Sequence, residues 1–176
     1  MGFAVKDAID MTIKKVGDST DTGVTIDYLN ECSISLKADT VYAQKKGMNA
    51  IAFNGAREGT FTMNAEVIGF EYLAWMLGGS ITTDEDGKYL IKVSGSVPST
   101  KYIIDGTFNC VFEDGTEVIQ YIKMYNAKPQ VEADLTLSAT DVSKFPLTFD
   151  ILIDSNNAIL DLSNDKTKIT GAEAGA

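Results

Sequence analysis

The chain contains no histidine among its 176 residues. Histidine is the commonest general base in enzymes and the commonest protein ligand of transition metals, so its absence excludes Ser-His-Asp triads, Cys-His dyads and His-ligated metal centres within this chain. Only two cysteines are present, Cys32 and Cys110, which is too few for a metal cluster. Each lies in a run where apolar and polar residues alternate, and this setting favours two buried, reduced thiols.

Long apolar runs and an excess of basic residues are also missing. No stretch reaches the roughly 18 apolar residues that span a bilayer. The first residues, MGFAVKDAID, lack the basic and apolar regions of a secretory signal, so we expect synthesis in a cytoplasm and no membrane partner. The net charge of −10 argues against a surface that grips nucleic acid. It leaves open a surface past which nucleic acid slides without sticking.

Sequence motifs of catalysis are absent: the chain has no GxSxG, no GxxxxGK[ST] and no GxGxxG. Its two acidic clusters, Asp84-Glu85-Asp86 and Glu113-Asp114, each abut a glycine in a predicted turn, where carboxylates are solvated. The sequence DEDG lacks the alternating ligands and the later bidentate Glu of a calcium loop. We therefore predict that the chain is not an enzyme and has no catalytic residues, metal or cofactor.

Strand patterns dominate the chain. Apolar residues alternate with polar residues in six segments, residues 24–28, 32–36, 60–67, 108–112, 131–137 and 145–153. Turns at EDGT, residues 113–116, and at Asp86-Gly87 predict two hairpins. Strands separated by turns, with one helix, predict a mainly β fold in one domain of residues 1–176. Its architecture is expected to be an antiparallel β-sandwich or barrel flanked by one short α-helix.

The two ends of the chain are less regular. In the N-terminal arm, about residues 1–20, Ile9, Met11 and Ile13 alternate as in a strand, whereas Ile9, Ile13 and Val16 have the spacing of a helix. Both readings stay open. The C-terminal segment ends in GAEAGA and has no periodicity, which predicts a flexible tail over about residues 163–176.

The predicted helix, Val67–Leu77, ends at Gly78-Gly79. One apolar stripe at helical spacing is formed by Phe70, Leu73, Ala74 and Leu77. Three further apolar residues lie off this stripe: Tyr72, Trp75 and Met76. Either the helix is buried on two sides, or this second face contacts another subunit, which makes those three residues candidate interface residues.

A basic segment precedes the helix. Residues 32–57 carry Lys37, Lys45, Lys46 and Arg57 against the single acid Asp39, a net charge of +3 in a chain of −10. Its glycines and its lack of core residues predict a projecting loop or hairpin arm over about residues 38–57. A basic arm on an acidic body suits contact with a neighbouring subunit. Lys45, Lys46 and Arg57 are therefore candidate interface residues, and a solvated loop is the alternative.

The order of these elements resembles the major tail proteins that build the tube of long, non-contractile bacteriophage tails. The likeness spans roughly residues 20–155. Five features carry it: Arg57-Glu58-Gly59-Thr60, the alternating strand to Val67, the apolar helix to Leu77, the pair Gly78-Gly79, and Asn126-Ala127-Lys128-Pro129 before the closing strands.

The resemblance implies a structural protein of the virion tail, synthesised in the cytoplasm of a host bacterium. It implies hexameric rings that stack into a tube, with an early loop reaching the adjacent ring. Tail initiator, terminator and tape-measure proteins are the further partners implied, and DNA passes through the lumen during ejection without specific binding.

Two alternatives remain from the sequence. One is a tube protein of a contractile tail or of a type VI secretion system. The other is a β-sandwich adhesion or ligand-binding module, which explains the strands and the acidity but explains neither the apolar helix nor the basic arm.

Overall fold

The computed structural model describes residues 3–17, 23–26, 29–45, 48–65, 69–70, 73–74, 77, 79–93, 95, 100–130, 145–154 and 158–169. The strands are β1 Phe3–Lys15, β2 Val24–Ile26, β3 Leu29–Lys45, β4 Met48–Ala65, β5 Gly79–Thr83, β6 Tyr89–Val93, β7 Tyr102–Phe112, β8 Glu117–Pro129, β9 Phe145–Ile151 and β10 Leu160–Ser163. A short helix, α1, spans Lys166–Ile169, and Phe70 and Leu73–Ala74 are also helical. None of the helices in these ranges is long and apolar enough to cross a membrane.

One large antiparallel sheet has the strand order β2-β1-β7-β8-β9-β4-β3. A flat sheet of seven strands would hold its two outer strands about 29 Å apart. Only residues 27 and 28 separate the end of β2 from the start of β3, and three Cα–Cα steps span at most about 11 Å. The sheet must therefore curl until its edges approach, and β1 and β3 are in contact. This confirms the expected mainly β, barrel-like fold.

The curled sheet encloses the hydrophobic core. Buried side chains come from β1, β2, β4, β7, β8 and β9, so each of these strands contributes one face to the interior. The core cluster consists of Met11, Ile13, Ile26, Phe61, Met63, Ala65, Tyr102, Ile104, Ile122, Met124, Ala127, Leu147, Phe149 and Ile151. Gly106 lies among them, and a Cβ there would come within 2.1 Å of Met11 Sδ, so the sulfur occupies the space that a side chain would need.

Strand β8 is paired on both edges. Along one edge it pairs with β7, and the two are joined by the predicted turn at residues 113–116. Along the other edge it pairs first with β10, at residues 121–124, and then with β9, at residues 127–129. The hydroxyl of Tyr125 donates a hydrogen bond to Asp161 in β10. Burial, together with this carboxylate, raises the pKa of Tyr125.

The aspartates of the two predicted turns accept hydrogen bonds from backbone amides of the same turns. In the β5–β6 turn, Asp84 Oδ1 accepts hydrogen bonds from the amides of Asp86 and Lys88, and Gly87 has φ of 76°. In the β7–β8 turn, Asp114 Oδ1 accepts from the amide of Thr116 at 2.9 Å. The hydrogen bonds from Thr116 lower the pKa of Asp114. Both predicted hairpins are confirmed, and the carboxylates stabilise the turns that close them.

The structure decides between the two readings of the N-terminal segment and corrects the expectation for the C-terminal tail. The N-terminal segment is a strand, not a helix, because β1 pairs with β7 from Phe3 to Lys15. The predicted flexible tail is wrong over residues 163–169, since α1 forms there and buries Ile169. The strand expected at residues 131–137 lies outside the described residues, as do residues 170–176.

Replacing Phe61 tests the enclosed core. Its side chain is 0% exposed, and its ring centroid lies 6.5 Å from that of Phe149. Phe61→Ala is expected to lower the free energy of unfolding by about 3–5 kcal/mol, because a cavity remains where the ring was. The melting temperature should fall by roughly 10 °C, measured by calorimetry. Val5→Ala, at a position 60% exposed in the same sheet, is the control. Equal melting of both variants would contradict an enclosed core at Phe61.

Candidate assembly interface

A two-stranded ribbon extends from the barrel. β3 and β4 pair along their whole length, from Leu29 opposite Ala65 to Lys45 opposite Met48. The next strand, β9, accompanies β4 only from Ala65 to Gly59. We call the part beyond Gly59, residues 38–45 and 48–58, the arm. The sequence left a loop and a hairpin arm open over residues 38–57, and the backbone there is a hairpin.

The arm is long for a structure of two strands. The eleven residues of β4 from Met48 to Glu58 rise by roughly 35 Å at the spacing of an antiparallel strand. Within the described residues, neither edge of the arm is paired to a third strand. Register shifts between Ala38 and Thr40 and between Ala43 and Gln44 mark bulges, which bend and twist a ribbon. A two-stranded hairpin alone is marginally stable in water, so the arm favours a covering partner.

Charged residues lie where the arm leaves the barrel. Lys37 stands opposite Glu58 and Ala38 opposite Arg57 in the register, and all four residues are exposed. Opposite charges at directly paired positions stabilise such a ribbon modestly. A groove of ≈ 400 Å³ runs beside them, lined among others by Ser35, Lys37, Glu58 and Asp150. The base of the arm is thus polar, charged on both strands and accessible.

An apolar strip lies on the other face of the same edge strand, β3, opposite to the face that lines the groove. Ile34 pairs with the fully buried Phe61, and Leu36 pairs with Gly59, so both lie on the core face of β3. Nevertheless they are 40% and 44% exposed, because β3 is the last strand of the sheet. A Cβ on Gly59 would meet Leu36 Cδ2 at 2.8 Å, so this glycine is what lets Leu36 lie flat against β4.

A second apolar surface lies on a separate hairpin. β5 and β6 form their own two-stranded sheet between β4 and β7 in the chain. The Phe70 ring stacks on Tyr89 of β6 with ring centroids 3.7 Å apart. Phe70, Tyr89, Leu90 and Val93 are nevertheless 47–63% exposed. Tyr89 and Val93 lie on one face of β6 and Leu90 on the other, so both faces of this hairpin expose apolar side chains. Exposed apolar surface is typical of contact sites in soluble proteins.

The predicted interface residues are only partly within the described structure. Arg57 is exposed on the arm, as a contact residue requires. Lys45 ends β3 at the tip of the arm, and its side chain lies outside the described residues, as do Lys46, Tyr72, Trp75 and Met76. Of the predicted helical stripe, Ala74 is buried, Leu73 and Leu77 are half-buried, and Phe70 is exposed.

The structure adds contact candidates that the sequence did not single out. Ile34 and Leu36 belong to a regular alternating strand, and alternation does not distinguish an edge strand from a central one. Tyr89 and Leu90 follow the turn at Asp86-Gly87, and nothing in their spacing tells whether another element covers them. Ile34 and Leu36 are exposed because β3 is the last strand of the large sheet, and Tyr89 and Leu90 because β6 belongs to a separate sheet of two strands.

The thiols do not form a chemical site. Cys110 is buried, and Cys32 on β3 is half-buried, so the expectation of two buried thiols is wrong in part for Cys32. Burial, with a smaller contribution from Glu31, raises the pKa of Cys32 to about 11. Burial also raises the pKa of Cys110. In the part of the chain that the structure describes, no group of three or more His, Cys, Asp or Glu could hold a metal.

The chain matches no protein-family model, and no curated protein matches it. Solved structures that match include a chain of the anti-feeding prophage (AFP) baseplate, determined by cryo-EM with 6-fold symmetrisation. The match covers 91% of this chain and 95% of that chain, with 10% sequence identity and a TM-score of 0.41.

Hydrogen exchange tests the arm. In the unassembled chain, backbone amides of residues 48–56 are expected to exchange at least about tenfold faster than those of residues 60–65, because opening the ribbon does not open the barrel core. On assembly, protection of the arm amides should rise. Mass spectrometry of peptides from both regions measures this. If residues 48–56 of the free chain were protected as strongly as residues 60–65, the arm would not need a partner and the prediction would be wrong.

Proposed function

We propose that the chain is a structural subunit that self-assembles into hexameric rings, which stack into a bacteriophage tail tube and conduct DNA during ejection. The proposal rests on the sequence resemblance to major tail proteins and on the arrangement of the arm. In this role the chain needs no catalytic group, and we propose that it is not an enzyme. Its partners are other copies of itself together with tail initiator, terminator and tape-measure proteins.

The arm is the observation that carries the proposal. It leaves a barrel that already encloses its own core, so the fold gains little from it within one subunit. A ribbon of roughly 35 Å could reach well past its own barrel, whose radius is on the order of 15 Å for a domain of this size. Such a ribbon supports contact between successive rings, where many equivalent contacts add along a stack.

Exposed apolar surface supports contact within a ring. Ile34 and Leu36 occupy the open edge of the sheet, and Leu90 and Val93 lie on the separate hairpin. Two distinct patches on one subunit suit a heterologous contact, in which different surfaces of neighbouring copies meet and close into a ring. The unpaired edge of β3 adds backbone donors and acceptors that a neighbouring strand can satisfy.

The charge distribution fits a DNA conduit. A net charge of −10 lets DNA pass by like-charge repulsion rather than adhere. The basic residues of the arm are then available for acidic surface on a neighbouring copy rather than for phosphate. An adhesion module explains the acidity equally well but gives no role to the arm.

Assembly of the purified chain tests the proposed function. At high concentration we expect rings or tubes about 100 Å wide, a dimension that follows from six domains of this size around a DNA-wide pore. Sedimentation velocity and negative-stain microscopy, with and without a tail initiator, measure it. Strictly monomeric sedimentation at millimolar concentration in both conditions would refute self-assembly. A monomer at low concentration alone is compatible with a tube that requires nucleation.

Charge reversal at the arm tip tests the ring-stacking contact. Lys45→Glu with Lys46→Glu is expected to leave the melting temperature unchanged and to reduce tube yield, because each copy repeats a contact worth about 0–1 kcal/mol. Tube yield should also fall as salt rises, since such pairs are screened over roughly 8–10 Å.

A matched control reverses two lysines elsewhere. Lys101→Glu with Lys168→Glu changes the net charge equally but acts at two exposed residues outside the arm, the β3 edge and the β5–β6 hairpin. Reduced yield for the arm variant alone would support a specific arm contact. Tubes formed equally well by the arm variant and the unmodified chain would identify Lys45 and Lys46 as solvated residues of a loop tip.

A further inference from the structure

One edge of strand β8 is covered over part of its length and open over the rest. At residues 121–124 this edge pairs with β10. Lys123 there stands between an aspartate of β7 and an aspartate of β10 in the register and is only 8% exposed. At residues 117–120, in contrast, β8 pairs with β7 alone among the described strands. Ile119 in this open part is 45% exposed.

We call residues 117–120 the β8 edge. A strand that is paired on one side only points half of its backbone donors and acceptors away from its partner. Such an edge is a template for pairing with a strand of another chain. Ile119 adds apolar surface that a covering strand would bury. The β8 edge is therefore suited to receive one more strand.

The β8 edge begins at an acidic turn. Glu113, Asp114 and Glu117 are all exposed, and Lys6 of β1 forms an ion pair with Glu117 at 2.8 Å. Residues 102–122 together contain four acidic residues and no basic one. Complementary potentials favour association, so a strand that pairs with the β8 edge is expected to carry positive charge.

The arm of a second copy has the matching features. Within the described residues, both edges of the arm are unpaired. Arg57 is exposed and makes no ion pair with another described side chain. In the register, Val41 stands opposite Phe53 and Ala43 opposite Ile51, so the arm also has apolar positions. A free strand edge, a basic residue and apolar positions are what the β8 edge requires of its partner.

The arm and the β8 edge lie at the same end of the barrel. Gly59 of β4 and Ala127 of β8 both pair with Ile151, and both strands run antiparallel to β9. β4 and β8 therefore run parallel to each other, and the residues that precede Gly59 and Ala127 extend in the same direction. Copies in a ring are related by rotation about one axis, so this end of every barrel faces the same side of the ring. The arm of one copy and the β8 edge of its neighbour can thus meet within one ring.

We propose that the arm of one copy pairs with the β8 edge of its neighbour in the same ring, with Arg57 beside Glu113 and Glu117. This inference rests on the proposed self-assembly and adds the surface that receives the arm. The added strand satisfies the open backbone groups of β8, and opposite charges meet across the contact. The part of the arm near Arg57 makes this lateral contact, and the tip with Lys45 and Lys46 is left to reach the next ring.

Charge exchange between the two surfaces tests the contact. Arg57→Glu and Glu117→Arg, made separately, should each leave the melting temperature unchanged and reduce tube yield about threefold or more at low salt, because like charges then meet in every copy. The chain with both changes should recover most of the yield, because opposite charges meet again. Lys6→Gln is the control. It removes the ion pair that Glu117 makes within its own chain but keeps the acid, so tubes should form normally.

The outcomes separate this contact from the proposed function. Recovery in the double variant supports direct pairing of the arm with the β8 edge. Reduced yield without recovery, or full yield in both single variants, overturns the contact while self-assembly stands. An unmodified chain that forms neither rings nor tubes overturns the contact and the proposed function together.

Hydrogen exchange of unmodified tubes locates the contact without any substitution. Amides of residues 117–120 that point away from β7 should exchange at least about tenfold more slowly in tubes than in the free chain. Residues 4–8 of β1 are the internal control, because β2 pairs with β1 only at residues 11–13 and leaves a second free edge there. No gain of protection at residues 117–120, whatever residues 4–8 show, would overturn the contact.

A cryo-EM reconstruction of the tubes tests the lateral placement. Arg57 of one copy should lie beside Glu117 of a neighbour in the same ring. An arm that lies instead on the β8 edge of a copy in the next ring would overturn the proposal, while the stacked rings themselves would still support the proposed function.

Discussion

The fold depends on one covalent constraint, the two-residue link between β2 and β3. These strands are the opposite ends of a seven-strand path, and so short a link brings them together only if the sheet curls. Curling places one face of the strands against a common interior, where alternate residues such as Ile13, Phe61 and Met124 become fully buried. The other face is left outside, with its threonines, lysines and aspartates. The buried core and the polar outer surface are thus the two faces of the same curled sheet.

The curling of the large sheet also explains why the arm and the β5–β6 hairpin lie outside it. Once the barrel has enclosed its core, the far half of the β3–β4 hairpin has no interior to cover, and β5–β6 forms a sheet of its own. Ile34 and Leu36 face inward at an edge where the wall ends, so they are half-exposed despite their orientation. Candidate contact surfaces on this chain are therefore the arm and the β5–β6 hairpin, together with the open edge of the sheet at β3.

Local features were predictable from the sequence and non-local ones were not. Alternation identified most strands, and Gly87 and Gly115 marked two turns correctly, because period and turn chemistry are encoded within a few residues. The strand that begins at Phe3 remained ambiguous, since Ile9, Met11 and Ile13 fit two periods. Strand order joins distant segments, so neither the open edge at Leu36 nor the burial of Lys123 could be predicted. Lys123 follows an alternating pattern like any solvent-facing lysine.

The position of β9 has a consequence for the timing of folding during synthesis. β9 is the strand that joins β4 to β8, and it pairs Gly59 with Ile151 and Ala127 with the same Ile151. Until residue 151 has left the ribosome, β9 cannot join the β3–β4 hairpin to β8, and the large sheet stays in two unpaired parts. Contacts so distant in sequence form slowly. Completion of the barrel therefore waits for synthesis through residue 151, and until then the surface formed by β4, β9 and β8 together is unfinished.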